Sequence, residues 1–121
     1  MPKCVLIVEP DEGARKALST MFASFRGWEP KSAPSLSEAY AACAANQIDL
    51  IVTESTMPDG SGFDLISKTR TQSNVPKIVV IAKSCALPPR EVLKLGADAF
   101  FRKPVNRAEI LEFVQNAFPN K

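Results

Sequence analysis

Four ionisable side chains could act together: Glu9 and Asp11 follow the first apolar run, Glu54 closes the third, and Lys103 follows the last. Carboxylates gathered in one crevice can hold a divalent cation or take up a phosphoryl group. A lysine among them can neutralise an oxyanion, or the carboxylates themselves. The chain has no histidine, which removes Ser-His and Cys-His nucleophile pairs, imidazole acid–base chemistry and most zinc sites together. Gly60-Ser61-Gly62 lacks the Gly-x-x-x-x-Gly-Lys pattern and the third glycine of a dinucleotide fingerprint, so it is read as a turn into a helix.

Those four residues can meet only if the chain folds their strands side by side. With 121 residues and 45% hydrophobic content, the chain has the material for one core. Short apolar runs alternate with amphipathic segments: Cys4–Val8, Trp28–Ala33, Ile48–Thr53, Lys77–Ala82 and Ala99–Arg102. This alternation predicts an α/β fold with a parallel sheet, whose buried strands read as continuous apolar runs. Pro30 lies in the second run and removes a ladder donor, so that strand is placed at an edge. The strand order 2-1-3-4-5, a flavodoxin-like doubly wound (βα)5 sheet, satisfies this requirement.

Helices are expected where Ala14, Leu18, Met21, Phe22 and Phe25 recur, with Gly27 as the stop. Another opens at Ser35 with Glu38 three residues on, and carries Leu36, Ala39, Tyr40 and Cys43 inward. A third begins near Phe63, and a short fourth opens at Pro88-Pro89 and stops at Gly96. The last opens at Asn106 with Glu109 and is lined by Ile110, Leu111, Val114 and Phe118. Residues 1–121 are read as one domain. In such a sheet, ligands sit beyond the carboxyl ends of the strands where their order reverses. That point is the end of the first and third strands, where Glu9 and Glu54 lie.

The run Asp49-Leu50-Ile51-Val52-Thr53-Glu54, followed by Met57-Pro58 and Gly60, resembles the third strand and phosphorylation loop of bacterial response-regulator receiver domains. Val8-Glu9-Pro10-Asp11 with Arg15 resembles that family's first landmark, and Leu95-Gly96-Ala97-Asp98-Ala99-Phe100-Phe101-Arg102-Lys103-Pro104 its last. The resemblance implies a two-component signalling module with an acceptor carboxylate, a magnesium-binding acidic pair, a Ser or Thr ending the fourth strand, an aromatic switch residue and a lysine. Carried over position by position, it assigns Glu54 to the acceptor, Glu9 to the first acid, Ile81 to the Ser/Thr, Phe100 to the aromatic switch and Lys103 to the lysine.

The departures fall on the chemistry. Pro10 stands where the second acid belongs, and Glu54 where the family has Asp. Magnesium requires an octahedral oxygen shell at about 2.0–2.1 Å. Lengthening Asp to Glu moves a carboxylate by up to about 1.5 Å. Ile81 cannot donate a hydrogen bond to a phosphoryl oxygen. The chain is therefore read as a degenerate, or pseudo-, receiver: a non-enzymatic protein-interaction module in which Glu54 pairs with Lys103. The alternative is a phosphorylation-dependent switch in which Glu9, Asp11 and Glu54 hold magnesium, with Glu9 and Glu54 as the metal ligands. Asp11 would share a side with Glu9 on an extended strand, although an N-cap is the commoner use of such a residue.

The resemblance also implies a protein partner, a kinase or a downstream signalling protein, on the helix 4–strand 5–helix 5 face, where a homodimer is also possible. Lys83, Arg90, Lys94, Arg102 and Arg107 are expected on or beside that face. A net charge of +2 with mixed signs makes no case for nucleic acid. No run is long enough to span a bilayer and no signal peptide opens the sequence, so a cytosolic chain without a membrane role is expected. Cys4, Cys43 and Cys85 sit in apolar contexts without metal-ligand spacing and are expected to stay reduced.

Overall fold

Val5, Leu6, Ile7 and Val8 are fully buried, so the first strand, β1 (Lys3–Val8), must be covered on both faces. The computed structural model, which describes residues 2–71, 75–84 and 87–119, shows how. β1 lies between β2 (Trp28–Ala33) and β3 (Leu50–Glu54). β4 (Lys77–Ala82) and β5 (Ala99–Arg102) complete a parallel sheet in the order β2-β1-β3-β4-β5. β2 is an edge, as Pro30 demanded.

Alternate residues of the strands feed two cores. On one face, Val5, Ile7, Leu50, Val52, Val79 and Ile81 pack under α1 (Glu12–Ala23) and α5 (Arg107–Ala117). On the other, Leu6, Val8, Ile51, Ile78 and Val80 pack under α2 (Leu36–Ala45), α3 (Phe63–Thr69) and α4 (Pro89–Lys94). The adjacent Phe100 and Phe101 divide between these cores.

The caps follow their sequence signals. Ser35 Oγ accepts from Glu38 N at 3.3 Å, and Asn106 Oδ1 accepts from Glu109 N at 3.1 Å. Pro89 stands in the first turn of α4. Helix α1 ends at Ala23, earlier than Gly27 suggested; Gly27, at φ +85°, instead makes the turn into β2. Burial pushes the Cys4 and Cys43 thiols up, and both are unbridged; Cys85 lies outside the described residues. No helix among the described residues is long and apolar enough to cross a membrane.

Candidate functional site

Three strand ends build the site. Glu9 leaves β1 with only 1% of its surface exposed. Glu54 is the last residue of β3, and Lys103 follows β5 directly. Lys103 Nζ lies 2.5 Å from Glu9 Oε1 and 3.4 Å from Glu54 Oε1, so one ammonium bridges two carboxylates. The sequence reading paired Lys103 with Glu54; the structure adds Glu9 as the nearer partner. Glu9 is the more deeply buried of the two carboxylates, so it has the greater need of a counter-charge.

Each carboxylate's second oxygen is also engaged. Glu9 Oε2 accepts from Asp11 N at 3.0 Å, and Glu54 Oε2 from Ser55 N at 3.1 Å. For Lys103, burial works against the charged amine. The Glu9 hydrogen bond and the Glu54 charge outweigh it, and the pKa is raised above its ordinary value.

Asp11 does not bring its carboxylate to this cluster. β1 has ended by Val8, so the period-2 rule that aligned Asp11 with Glu9 no longer applies. Asp11 Oδ2 accepts from Ala14 N at 2.8 Å and caps α1, and only the Asp11 backbone N–H faces Glu9. Arg15, noted in the sequence only as part of a landmark, reaches back from α1 to hold the carbonyls of Glu9 and Pro10 at 2.9 and 3.3 Å.

Ile81 is fully buried and lies directly opposite Glu54 in the β3–β4 ladder. With Lys103 and Leu18 it lines an apolar cavity of about 340 Å³ against α1. The position beside Glu54 thus presents hydrocarbon, with no hydroxyl to donate.

The loop after Glu54 is fixed by contacts the sequence did not reveal. Thr56–Met57 and Gly60–Ser61 form a small antiparallel hairpin. At its tip, Asp59 accepts from Leu36 N at 2.8 Å and Ser37 N at 3.0 Å, clamping the loop onto the start of α2. These backbone bonds hold the Asp59 carboxyl below its usual range.

The basic residues expected on or beside α4, β5 and α5 differ in their surroundings. Lys83, Arg90, Lys94 and Arg102 are exposed, and Leu93 and Leu95 beside them are 47% and 44% exposed. Arg107 is exposed and opens α5 as expected, but its guanidinium donates to Ser24 Oγ at 3.1 Å and lies 5.0 Å over the Phe25 ring, so it is turned towards the end of α1. Its place at the start of α5 put it near the face in sequence, but its partners lie across the helix.

Residues 5–115 match the family described as the response regulator receiver domain. The chain belongs to the response-regulator receiver family. It is 33% identical to the KDP operon transcriptional regulatory protein KdpE of Escherichia coli over 88% of this chain and 47% of that protein. It is 29% identical to the probable transcriptional regulatory protein TcrX of Mycobacterium tuberculosis, over 91% of this chain and 47% of that one. The chain thus spans about half the length of these curated relatives. The beryllofluoride-activated NtrC4 receiver domain dimer superposes with a TM-score of 0.84 at 28% identity, covering 95% of each chain. Vibrio cholerae CheY4, at 24% identity and a TM-score of 0.85 over 96% of this chain and 98% of that one, shares the fold.

This receiver's residues do not suit the magnesium that its family implies. The two converging carboxylates share the Lys103 ammonium, Pro10 brings no oxygen side chain, and the Asp11 carboxylate is engaged by α1. Among the described residues, no group of three acidic, histidine or cysteine side chains is placed to hold a metal ion.

Proposed function

We propose that this receiver works as a pseudo-receiver, a module whose signalling output is set by protein binding and not by phosphorylation of Glu54. The observation that carries this reading is the Lys103 ammonium between Glu9 and Glu54, a tethered cation where an acidic pocket would otherwise attract a free one. Loading magnesium would require parting both ion pairs and moving a lysine to admit a reluctantly dehydrating ion. A phosphoryl group on Glu54 would then meet Ile81, which has no proton to donate.

Binding would use the α4–β5–α5 surface. There the exposed Leu93 and Leu95 supply apolar area, and Arg90 and Arg102 supply charge. The partner chemistry this fits is an acidic, partly apolar protein surface, such as that of a kinase or a downstream cytosolic signalling protein. The NtrC4 neighbour is a receiver dimer, which makes a second copy of this chain the competing occupant.

The test is an amide NMR titration with magnesium and then beryllofluoride, which imitates a phosphoryl group on a carboxylate. The expected result is an unchanged spectrum at millimolar concentrations of both. Saturable shifts at Glu9, Glu54 and Lys103 that spread to Phe100 and α4 would overturn the proposal and establish a phosphorylation-dependent switch.

A further inference from the structure

A cavity of about 520 Å³ lies at the far end of the molecule, between the α1–β2 turn and the end of α5. That is within the roughly 300–1,000 Å³ of small-molecule sites. Its wall is aromatic. Phe25, Trp28 and Phe118 belong to one edge-to-face array: Phe22 to Phe25 at 5.1 Å, Phe22 to Trp28 at 6.2 Å, and Trp28 to Phe118 at 5.0 Å. Trp28 and Phe118 remain half-buried, so part of this wall is wet.

The rim is cationic. Lys3, Arg26 and Gln115 line the opening and are exposed, and no carboxylate is among the described lining residues. Lys3 and Arg26 make no ion pair with any described residue. Lys3 Nζ stands 5.4 Å over the Phe118 ring, so charge is already held against the aromatic wall. Gly27 shapes the mouth: at φ +85° it turns the chain, and nothing lies within 4 Å of where its Cβ would be.

We propose that this cleft is a second ligand site, for a small planar aromatic anion of the nucleoside monophosphate kind. The ring system would lie against Trp28, with Phe118, whose plane stands at 80° to it, carrying Lys3 at the side of the cleft, while Lys3 and Arg26 hold the phosphate and Gln115 offers an amide to the ring edge. An aromatic face alone would suit any apolar molecule. Two rim cations with no ion-pair partner among the described residues select an anion, and the cation held against the aromatic wall selects one whose charge is attached to a flat ring. The site begins where β1 begins and Glu9 follows where β1 ends, roughly 20 Å away along the strand. It therefore does not depend on whether Glu54 is ever phosphorylated.

Trp28 is the only tryptophan and reports directly on the cleft. The experiment titrates the whole chain with AMP, with adenosine and with inorganic phosphate, following Trp28 emission and its indole N–H resonance. AMP is expected to give a saturable change at millimolar concentration or below, with adenosine and phosphate each at least about tenfold weaker. The double variant K3Q/R26Q, altered only at exposed positions, should keep its melting temperature and bind AMP at least about tenfold more weakly. AMP affinity in the native chain should fall as salt rises. Absence of a saturable AMP response would overturn the proposal. So would adenosine binding as well as AMP, AMP affinity that ignores salt, or undiminished AMP binding by the folded double variant.

Discussion

Carboxylates at the two ends of the sheet serve different partners. At the amino ends of the strands, Asp49 Oδ2 accepts from Cys4 N at 2.8 Å and Asp98 Oδ2 from Ile78 N at 2.8 Å. Each satisfies a main-chain donor at the start of a neighbouring strand. At the carboxyl ends, Glu9 and Glu54 also take a backbone N–H each, but their charge is answered by a side chain, Lys103. A carboxylate bonded to backbone can be replaced by any well-placed acceptor. One of two anions sharing a single cation cannot, because removing the cation strands both. The first arrangement builds a sheet, and the second stores a charge relationship that a binding event could alter.

The largest effect should come from breaking the second arrangement. Lys103→Met leaves Glu9 and Glu54 facing each other and should cost about 3 kcal/mol in urea unfolding. That is the low end of the range for breaking a buried pair, because Lys103 and Glu54 retain 23% and 16% side-chain exposure. Adding Glu9→Gln to Lys103→Met should restore part of the loss. If the double variant is instead less stable by the sum of the single changes, the two residues are not coupled.

Asp49→Ala, at the other end, should cost about 1–2 kcal/mol by orphaning the Cys4 N–H, and Asp49→Asn distinctly less. Should the asparagine cost as much as the alanine, charge matters at that end too, and the contrast between the ends weakens. Asp11→Ala should cost about 1 kcal/mol through the lost α1 cap. Its amide shifts should be confined to the first turn of α1 and its junction with Glu9.

The smallest effects concern pH. The folded pKa of Lys103 is raised above 10.5, so its contribution is complete below that value and is lost as pH climbs through the folded pKa. Asp59 behaves in the opposite sense. Its carboxyl is lowered from 3.8, so its contribution is present above that value and disappears as pH falls through the folded pKa. Unfolding midpoints of the native chain, Lys103→Met and Asp59→Asn should therefore differ in slope at opposite ends of the pH scale.

Much of this was legible in the residues because the signals were local. Continuous apolar runs marked the strands, Pro30 marked the edge, and Ser35 and Asn106 marked helix starts that the hydrogen bonds bear out. Strand order brought Glu9, Glu54 and Lys103 to one crevice, but not Glu9 forward as the nearer partner of the ammonium. What sequence could not show depended on partners distant in the chain or on where a period stops. The Asp59 clamp joins residues 22 and 23 positions apart across two elements. Arg107 finds Ser24, 83 positions away, and a cation–aromatic contact with Phe25 has no periodicity to announce it. Asp11 was misplaced because alternation was extended past the end of β1.

Gly60 and Asp59 tie one side of the loop after Glu54, and Gly62 ties the other. Its N–H donates to Ser55 O at 2.9 Å, and a Cβ on Gly62 would fall 2.1 Å from the Glu54 carbonyl oxygen and 2.8 Å from Thr53 Oγ1. The last peptide of β3 and the first turn of α3 therefore interlock like meshed gear teeth, with no slack for even a methyl group between them. A side chain of any size at position 62 would have to push the end of β3 and the start of α3 apart.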